Sequence, residues 1–508
     1  MSRTENSLRN IRVSLFFYFA RIIVRFFARK VFVVVLTQEY LGLNGTFSNI
    51  LSMLDLAELG VGTALAYSLY RPLASGDQKQ ISALMKLFRK VYWVIGVVVA
   101  LLGFSLAPFL SALIRDLPDI PHIYLIYLLF VLNSSLSYFF VYKQALITAD
   151  QCQYIVTSCN SLLDIFLHLG QALLLWLTGN YFLYLWLQIG VTVLRNLLLS
   201  YIADRRYPYI KTDHHEKLDP KVTKEIVRNT KGMLIHKISG VIVFSTDNLL
   251  ISRFVGIVEV GLYSNYLMIT QALSSIYGQL FNSLTASLGN LGVTKDSDQV
   301  LTAFYRVNLA GNWLYGFSAV CLAVLLNPFI ELWVGPDYLF SRGIVALIVL
   351  NFYVTGMRQA EVTFCTAEGL FWYGRGKAIA ESIINLVVSI ALAVPYGIVG
   401  IFIGTFISTM TTCFWYDPIM LFKYGLHASV KPYFRDYAVN TLVTFLTAVA
   451  VGYICTILPG KGLALFIEKM AVCAIGGNMG FLLAYHKREE FHYFIGLAGK
   501  LLKRQPIQ

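Results

Sequence analysis

The stretch SLFFYFARIIVRFFARKVFVVVL, residues 14–36, decides how the rest of the chain is read. As a helix it rises about 35 Å, enough to cross the roughly 30 Å hydrocarbon core of a bilayer. It is apolar except for its cations, with Arg21 and Arg25 inside and Arg29 and Lys30 further on. Spaced four apart, Arg21 and Arg25 share one helix face. A guanidinium at bilayer depth costs about 2.5–3.5 kcal/mol on insertion scales, so such residues usually face a protein interior or a watery cavity. Two readings are open. Either the pair belongs to a buried anion site, or Arg29 and Lys30 mark the helix boundary and both arginines snorkel to the cytoplasmic surface.

The remaining sequence repeats the theme of long apolar runs. With 57% hydrophobic and 14% charged residues and a mean hydropathy of +0.64, the 508 residues are too apolar for a soluble core. The fold class is therefore an all-α polytopic membrane protein, since helices satisfy their own backbone hydrogen bonds in lipid. Apolar runs of about 20 residues give about fourteen spans: 13–36, 42–70, 87–110, 123–146, 156–177, 181–202, 233–252, 261–288, 304–326, 344–366, 378–395, 398–420, 437–458 and 462–485. With the amino terminus inside, Arg3, Arg9, Arg12, Arg71, Lys79, Lys86, Arg375, Lys377, Lys423, Lys431, Arg435, Lys487 and Arg488 all fall on the cytoplasmic side. So does the basic run 205–231, whereas the outer side holds little beyond Arg115, Arg253, Arg342 and Lys461. This bias puts both termini in the cytoplasm and accounts for the formal charge of +13 without nucleic acid. The first run lacks a small-residue cleavage site, so it is read as a retained helix. Seven cysteines show no metal-ligand spacing and read as small apolar helix residues; no metal or cofactor is expected.

An internal likeness organises the domains. YLGLNGTFSN at 40–49 resembles FVGIVEVGLYSN at 254–265, and ITAD at 147–150 resembles CTAE at 365–368. The offset drifts only from roughly 214 to roughly 218 residues, as expected for two homologous six-helix halves. The expected organisation is an N-terminal lobe 1–202, a cytoplasmic connector 203–230, a C-terminal lobe 231–424, and a final part 425–508 with two extra helices and an amphipathic tail. An even number of spans per half returns the chain to its starting side, so the halves are parallel repeats. In the tail, KREEFHYFIGLAGKLLKR at 487–504 places Phe491, Phe494, Ile495, Ala498, Leu501 and Leu502 on one helical face, fit to lie on the cytoplasmic leaflet.

Charged residues inside the spans are the candidate site. Asp55 and Glu58 lie about one turn apart in the second span, where they pair with Arg21 or Arg25 or bind a coupling cation. Lys237 and Asp247 occupy the seventh span, and Arg358 and Glu361 the tenth, three residues apart and able to pair on one face. Lys237 is the second-half candidate for an anion contact, with snorkelling as its alternative. Asp164 and His168, four apart, form either a proton-responsive pair or an interhelical hydrogen bond, and Arg195 sits near a cytoplasmic helix end. There is no G-x-x-x-x-G-K-[ST], which excludes a Walker site, and no outward loop exceeds about seventeen residues, little room for catalysis outside the membrane. A transporter is favoured over an enzyme.

The segments ELGVGTALAYSLYRPLA at 58–74, STDNLLISRFVGIVEVGLYSNY at 245–266 and NFYVTGMR at 351–358 resemble polysaccharide flippases of the multidrug/oligosaccharidyl-lipid/polysaccharide exporter superfamily. The resemblance implies a carrier in the cell membrane that moves an undecaprenyl-pyrophosphate-linked repeat unit to the outer leaflet for capsule or exopolysaccharide assembly. It further implies a cationic cavity, which Arg21, Arg25, Lys237 and Arg358 could supply, and partners among polysaccharide polymerases and glycosyltransferases. A coupling ion would act through Asp55, Glu58, Asp247 or Glu361. Two alternatives remain: a drug/cation antiporter on the same scaffold, and a membrane glycan polymerase or ligase.

Overall fold

Many long helices of this chain turn large apolar side chains outward. The helix Gln153–Thr178 exposes Leu162, Phe166, Leu169, Leu173 and Trp176 on one face and turns Ser161, Asp164, His168 and Gln171 inward. That arrangement is unfavourable in water and favourable in hydrocarbon, where apolar residues face lipid and polar ones need protein partners. The computed structural model describes residues 3–54, 68–69, 72–73, 75–211 and 246–502, positions 116, 140, 151 and 295 excepted. Among the described residues there is no strand, and nine helices are long and apolar enough to cross a membrane, or ten if one bent pair counts as a span. The protein is an all-α, multi-pass membrane protein.

Two compact units divide the chain, Met1–Gly261 and Leu262–Gln508. In the first, α1 (Arg3–Val35), α2 (Gln38–Leu54), α3 (Gln78–Leu106), α4 (Ile123–Tyr138), α5 (Tyr142–Ala149), α6 (Gln153–Thr178) and α7 (Tyr181–Arg206) follow in order. The helix α8 (Ile257–Thr294) begins in this unit and continues into the second. There follow α9 (Ser297–Trp333), α10 (Arg342–Met357), α11 (Gln359–Ala367), α12 (Phe371–Tyr396), α13 (Ile398–Thr411), α14 (Cys413–Tyr424), α15 (Lys431–Ile457), α16 (Gly462–Tyr485) and α17 (Glu489–Leu502). The helix starts Gln38, Gln78, Ile123, Gln153 and Tyr181 recur at Ile257, Ser297, Arg342, Phe371 and Ile398, always 217–219 residues later.

Local signals set several boundaries. Asp77 caps α3 by accepting from the Gln80 N–H at 2.9 Å, and Asn180 caps α7 by accepting from Phe182 at 2.8 Å. Three expected spans are interrupted. The run 123–146 divides into α4 and α5, 344–366 breaks at Arg358 between α10 and α11, and 398–420 breaks at Thr412 between α13 and α14. The expected spans 42–70 and 233–252 and most of the connector lie partly or wholly outside the described residues.

At the start of α8 the second copy of the repeated motif packs on the first. Gly42 of α2 lies so close to α8 that a Cβ there would meet the Ile257 carbonyl oxygen at 1.9 Å, and Gly45 faces Val260. Only a residue without a side chain permits that approach. Close by, the Arg115 guanidinium donates to the Phe254 carbonyl at 2.9 Å.

Candidate anion site

Among the described residues, three helices of the first unit bring together a cluster of charged side chains within its spans. Along α1, Arg21, Arg25 and Arg29 form a stripe at four-residue spacing, and on α6 Asn160, Asp164 and His168 form a second one. The two stripes meet. Arg21 Nη1 lies 3.4 Å from Asp164 Oδ2, and Arg25 Nε donates to His168 Nε2 at 3.3 Å. From α7, Arg195 Nη2 makes a close charge-assisted hydrogen bond to the other carboxylate oxygen, Asp164 Oδ1. One carboxylate is thus shared by two guanidinium groups, with a third one turn away.

Charge and hydrogen-bond capacity both exceed what the cluster consumes. Among the described residues Arg21, Arg25 and Arg195 face a single acid, Asp164, so with His168 counted as neutral the formal balance of these groups is two positive charges. Each guanidinium carries five donors, and the Arg21 contact at 3.4 Å is longer than the usual 2.7–2.9 Å of charge-assisted bonds. Arg195 Nε is buried without a hydrogen-bond partner, as are Asn160 Oδ1 and Ser161 Oγ. Arg21, Asp164 and Arg195 remain 27%, 15% and 26% exposed, and Arg25 is more open still. Such a group can accept a multivalent oxyanion without further burial of its own charge.

The second unit holds a charged network of another kind. Arg358 Nη2 donates to Asp417 Oδ2 at 2.7 Å and Lys377 Nζ to Asp417 Oδ1 at 2.7 Å, with Glu381 Oε1 at 3.9 Å from Arg358 Nη1. Two cations and two acids balance, and all four side chains are 15% exposed or less. The expected pairing of Arg358 with Glu361 along one helix face gives way to Asp417. Glu361 instead is fully buried, accepts a short hydrogen bond from the Tyr433 hydroxyl, and leaves Oε2 unpartnered. Asp247 is half-buried in the helical stretch 246–254. Lys237, Asp55 and Glu58 lie outside the described residues.

The model of a family described as polysaccharide biosynthesis protein matches residues 7–284, more than half of the chain and all of the arginine cluster. The chain belongs to this polysaccharide biosynthesis protein family. Solved structures share the fold at low identity. The lipid II flippase MurJ, in an inward closed conformation, matches with a TM-score of 0.62 at 16% identity, covering 93% of this chain and 98% of that one. An inward-facing multidrug resistance MATE family transporter of the MOP superfamily gives 0.61 at 12%, covering 78% and 94%. A MOP superfamily transporter from Pyrococcus furiosus, whose binding pocket is described as reversed in polarity, gives 0.52 at 12%, covering 84% and 98%. No curated protein matches.

For this member of the polysaccharide biosynthesis protein family, sequence reasoning selected Arg21 and Arg25, left Asp164 and His168 open between a proton-responsive pair and an interhelical hydrogen bond, of which the structure shows the interhelical bonds, and set Arg195 aside. The missing signal was the matched stripe on α6, whose residues at 160, 164 and 168 repeat the spacing of 21, 25 and 29. In the second unit Lys377, Glu381, Asp417 and Tyr433 were not singled out. Asp417 could have been, as an acid inside an expected span that requires a cation.

Proposed function

We propose that this polysaccharide biosynthesis protein is a flippase that carries an undecaprenyl-pyrophosphate-linked oligosaccharide repeat unit from the cytoplasmic to the outer leaflet, for capsule or exopolysaccharide assembly. The observation that carries the reading is the surplus of guanidinium over carboxylate at Arg21, Arg25, Arg195 and Asp164. A pyrophosphate cannot enter hydrocarbon unaided, and bidentate guanidinium contacts replace part of its hydration. In this scheme phosphate oxygens displace Asp164 from Arg21 and take up the free donors of Arg25 and Arg195. Lys237 and Arg358 are the contacts proposed from the second half, Arg358 exchanging Asp417 for phosphate. The lipid tail stays in the bilayer while the two halves alternate access. Glu361, with one carboxylate oxygen unpartnered, is proposed for ion coupling, beside Asp55, Glu58 and Asp247. In the same scheme the protein sits in the cell membrane with both termini cytoplasmic, beside the polymerase and glycosyltransferases that use and supply its cargo.

The test is flipping in proteoliposomes loaded with the lipid-linked oligosaccharide, read by access of the glycan to an external lectin. Arg21→Gln and Arg25→Gln each remove a charged hydrogen bond worth about 1.5–3 kcal/mol, so flipping falls roughly ten- to a hundredfold. Wild-type rates in both folded variants would refute the reading, and glycan lengthening in the same vesicles would favour a polymerase.

A further inference from the structure

An open apolar groove of about 420 Å³ runs between α9 and α17, lined by Leu309, Ala310 and Trp313 from the first and Phe491, Phe494 and Ile495 from the second. Its walls are fixed. The Trp313 indole N–H donates to Asn478 Oδ1 at 3.0 Å, and the Trp313 ring stacks on Phe491 with centroids 5.8 Å apart and planes at 13°. There is room for about fourteen waters, but next to no polar atom to hold them, so water is a poor occupant.

The groove has a charged rim. Arg306 precedes Ala310 and Trp313 by four and seven residues, on the same side of α9, and its guanidinium lies 3.8 Å over the Tyr493 ring. Among the described residues it makes no ion pair, although Glu489 and Glu490 begin α17. Tyr493 beside the slot and Ile495 in its wall are 43% and 53% exposed, on a helix that directly follows the apolar span α16. An apolar slot with an unneutralised cation at its mouth matches a molecule with a hydrocarbon chain and a negative head.

We propose that this slot binds one acyl chain of an anionic phospholipid, with the phosphate on Arg306. The site fixes α17 to the membrane surface through a specific lipid and is independent of the transport reading. A groove of this size takes a length of acyl chain but only about one turn of a helix, which disfavours a protein segment.

The test uses the full-length protein in nanodiscs of phosphatidylcholine containing phosphatidylglycerol with dibrominated acyl chains, which quench tryptophan on contact. Lipid-facing Trp93, Trp176, Trp186 and Trp415 are also quenched, so the Trp313 signal is the difference between wild type and Trp313→Phe. The expected result is severalfold stronger quenching of that difference by brominated phosphatidylglycerol than by brominated phosphatidylcholine. The preference falls to unity in Arg306→Gln, and Ala310→Phe, which obstructs part of the slot, weakens quenching by both lipids. Equal Trp313 emission in brominated and plain lipid would overturn the proposal. So would relief of quenching by a polyprenyl phosphate at equal mole fraction, which would assign the slot to the cargo's tail. Native mass spectrometry supplies a readout that needs no tryptophan change: wild type retains one phosphatidylglycerol through delipidation and Arg306→Gln retains none, whereas equal retention refutes the headgroup contact.

Discussion

Replacing Asp164 with Asn removes the carboxylate shared by Arg21 and Arg195 at almost unchanged side-chain volume, and it separates an anion site from a mere staple between α1, α6 and α7. In the proposed site Asp164 competes with the cargo. A carboxylate about 6 Å from a bound phosphate charge repels it by about 0.7 kcal/mol at the dielectric of water and by about 2.8 kcal/mol at an effective dielectric of 20. For each phosphate charge, neutralising Asp164 therefore tightens binding by about three- to a hundredfold. The same change costs stability without ligand, because Arg195 and Arg21 lose their acid. At 26% and 27% exposure that loss lies between the surface and buried limits, about 1–3 kcal/mol. The assay is thermal melting of the detergent-solubilised protein against a titration of polyprenyl pyrophosphate. Asp164→Asn is expected to melt lower than wild type when empty, yet to saturate at lower ligand concentration. Unchanged or weaker binding by a variant that still melts cooperatively would refute the competition and leave Asp164 a structural tie.

Two further outcomes follow from the packing. Arg358→Gln leaves Lys377 alone against Asp417 and Glu381 in a network no more than 15% exposed, which costs about 3 kcal/mol; the double variant Arg358→Gln/Glu381→Gln restores the charge balance and recovers part of it, read as melting temperature. Gly42→Val drives its side chain into the Ile257 carbonyl, so the protein is expected to lose yield and cooperative melting, whereas Gly190→Ala, with nothing within 4 Å of its Cβ, is expected to be near neutral.

What could be read from the sequence follows the physics of each signal. Helix class depends on apolar length, which a chain with a mean hydropathy of +0.64 displays at every span. The breaks at Arg358 and Thr412 were hidden, because a helix interrupted inside protein keeps its apolar composition. The candidate site was half legible. Arg21 and Arg25 stand out because an arginine in a span is costly, but the partner of each is chosen by helix packing, and Asp164 and Arg195 lie 143 and 174 positions beyond Arg21 in the chain. Sequence proximity instead suggested Glu361 for Arg358, and Asp417, 59 positions away, took that place.

The two charged networks differ in a way that decides where a membrane potential can act. Arg358 and Lys377 are balanced by Asp417 and Glu381, so the second network carries no formal charge for the field to move. Among the described residues around Asp164 the balance is two positive charges, and a full crossing of 100 mV by two charges is worth about 4.6 kcal/mol. In the proposed cycle a bound pyrophosphate cancels that surplus, so the loaded site crosses with little electrical work while the empty site is drawn toward the negative interior. Voltage then accelerates the return of the empty carrier, not the outward passage of cargo. Imposing an inside-negative potential on proteoliposomes is accordingly expected to raise multiple-turnover flipping but leave the first turnover of pre-loaded protein unchanged. Arg195→Gln, which removes one of the two surplus charges, is expected to weaken the voltage dependence of turnover. A first turnover that speeds up with potential as steeply as the steady state would show that charge moves with the cargo, and the surplus at Asp164 would then not be the voltage-sensing element.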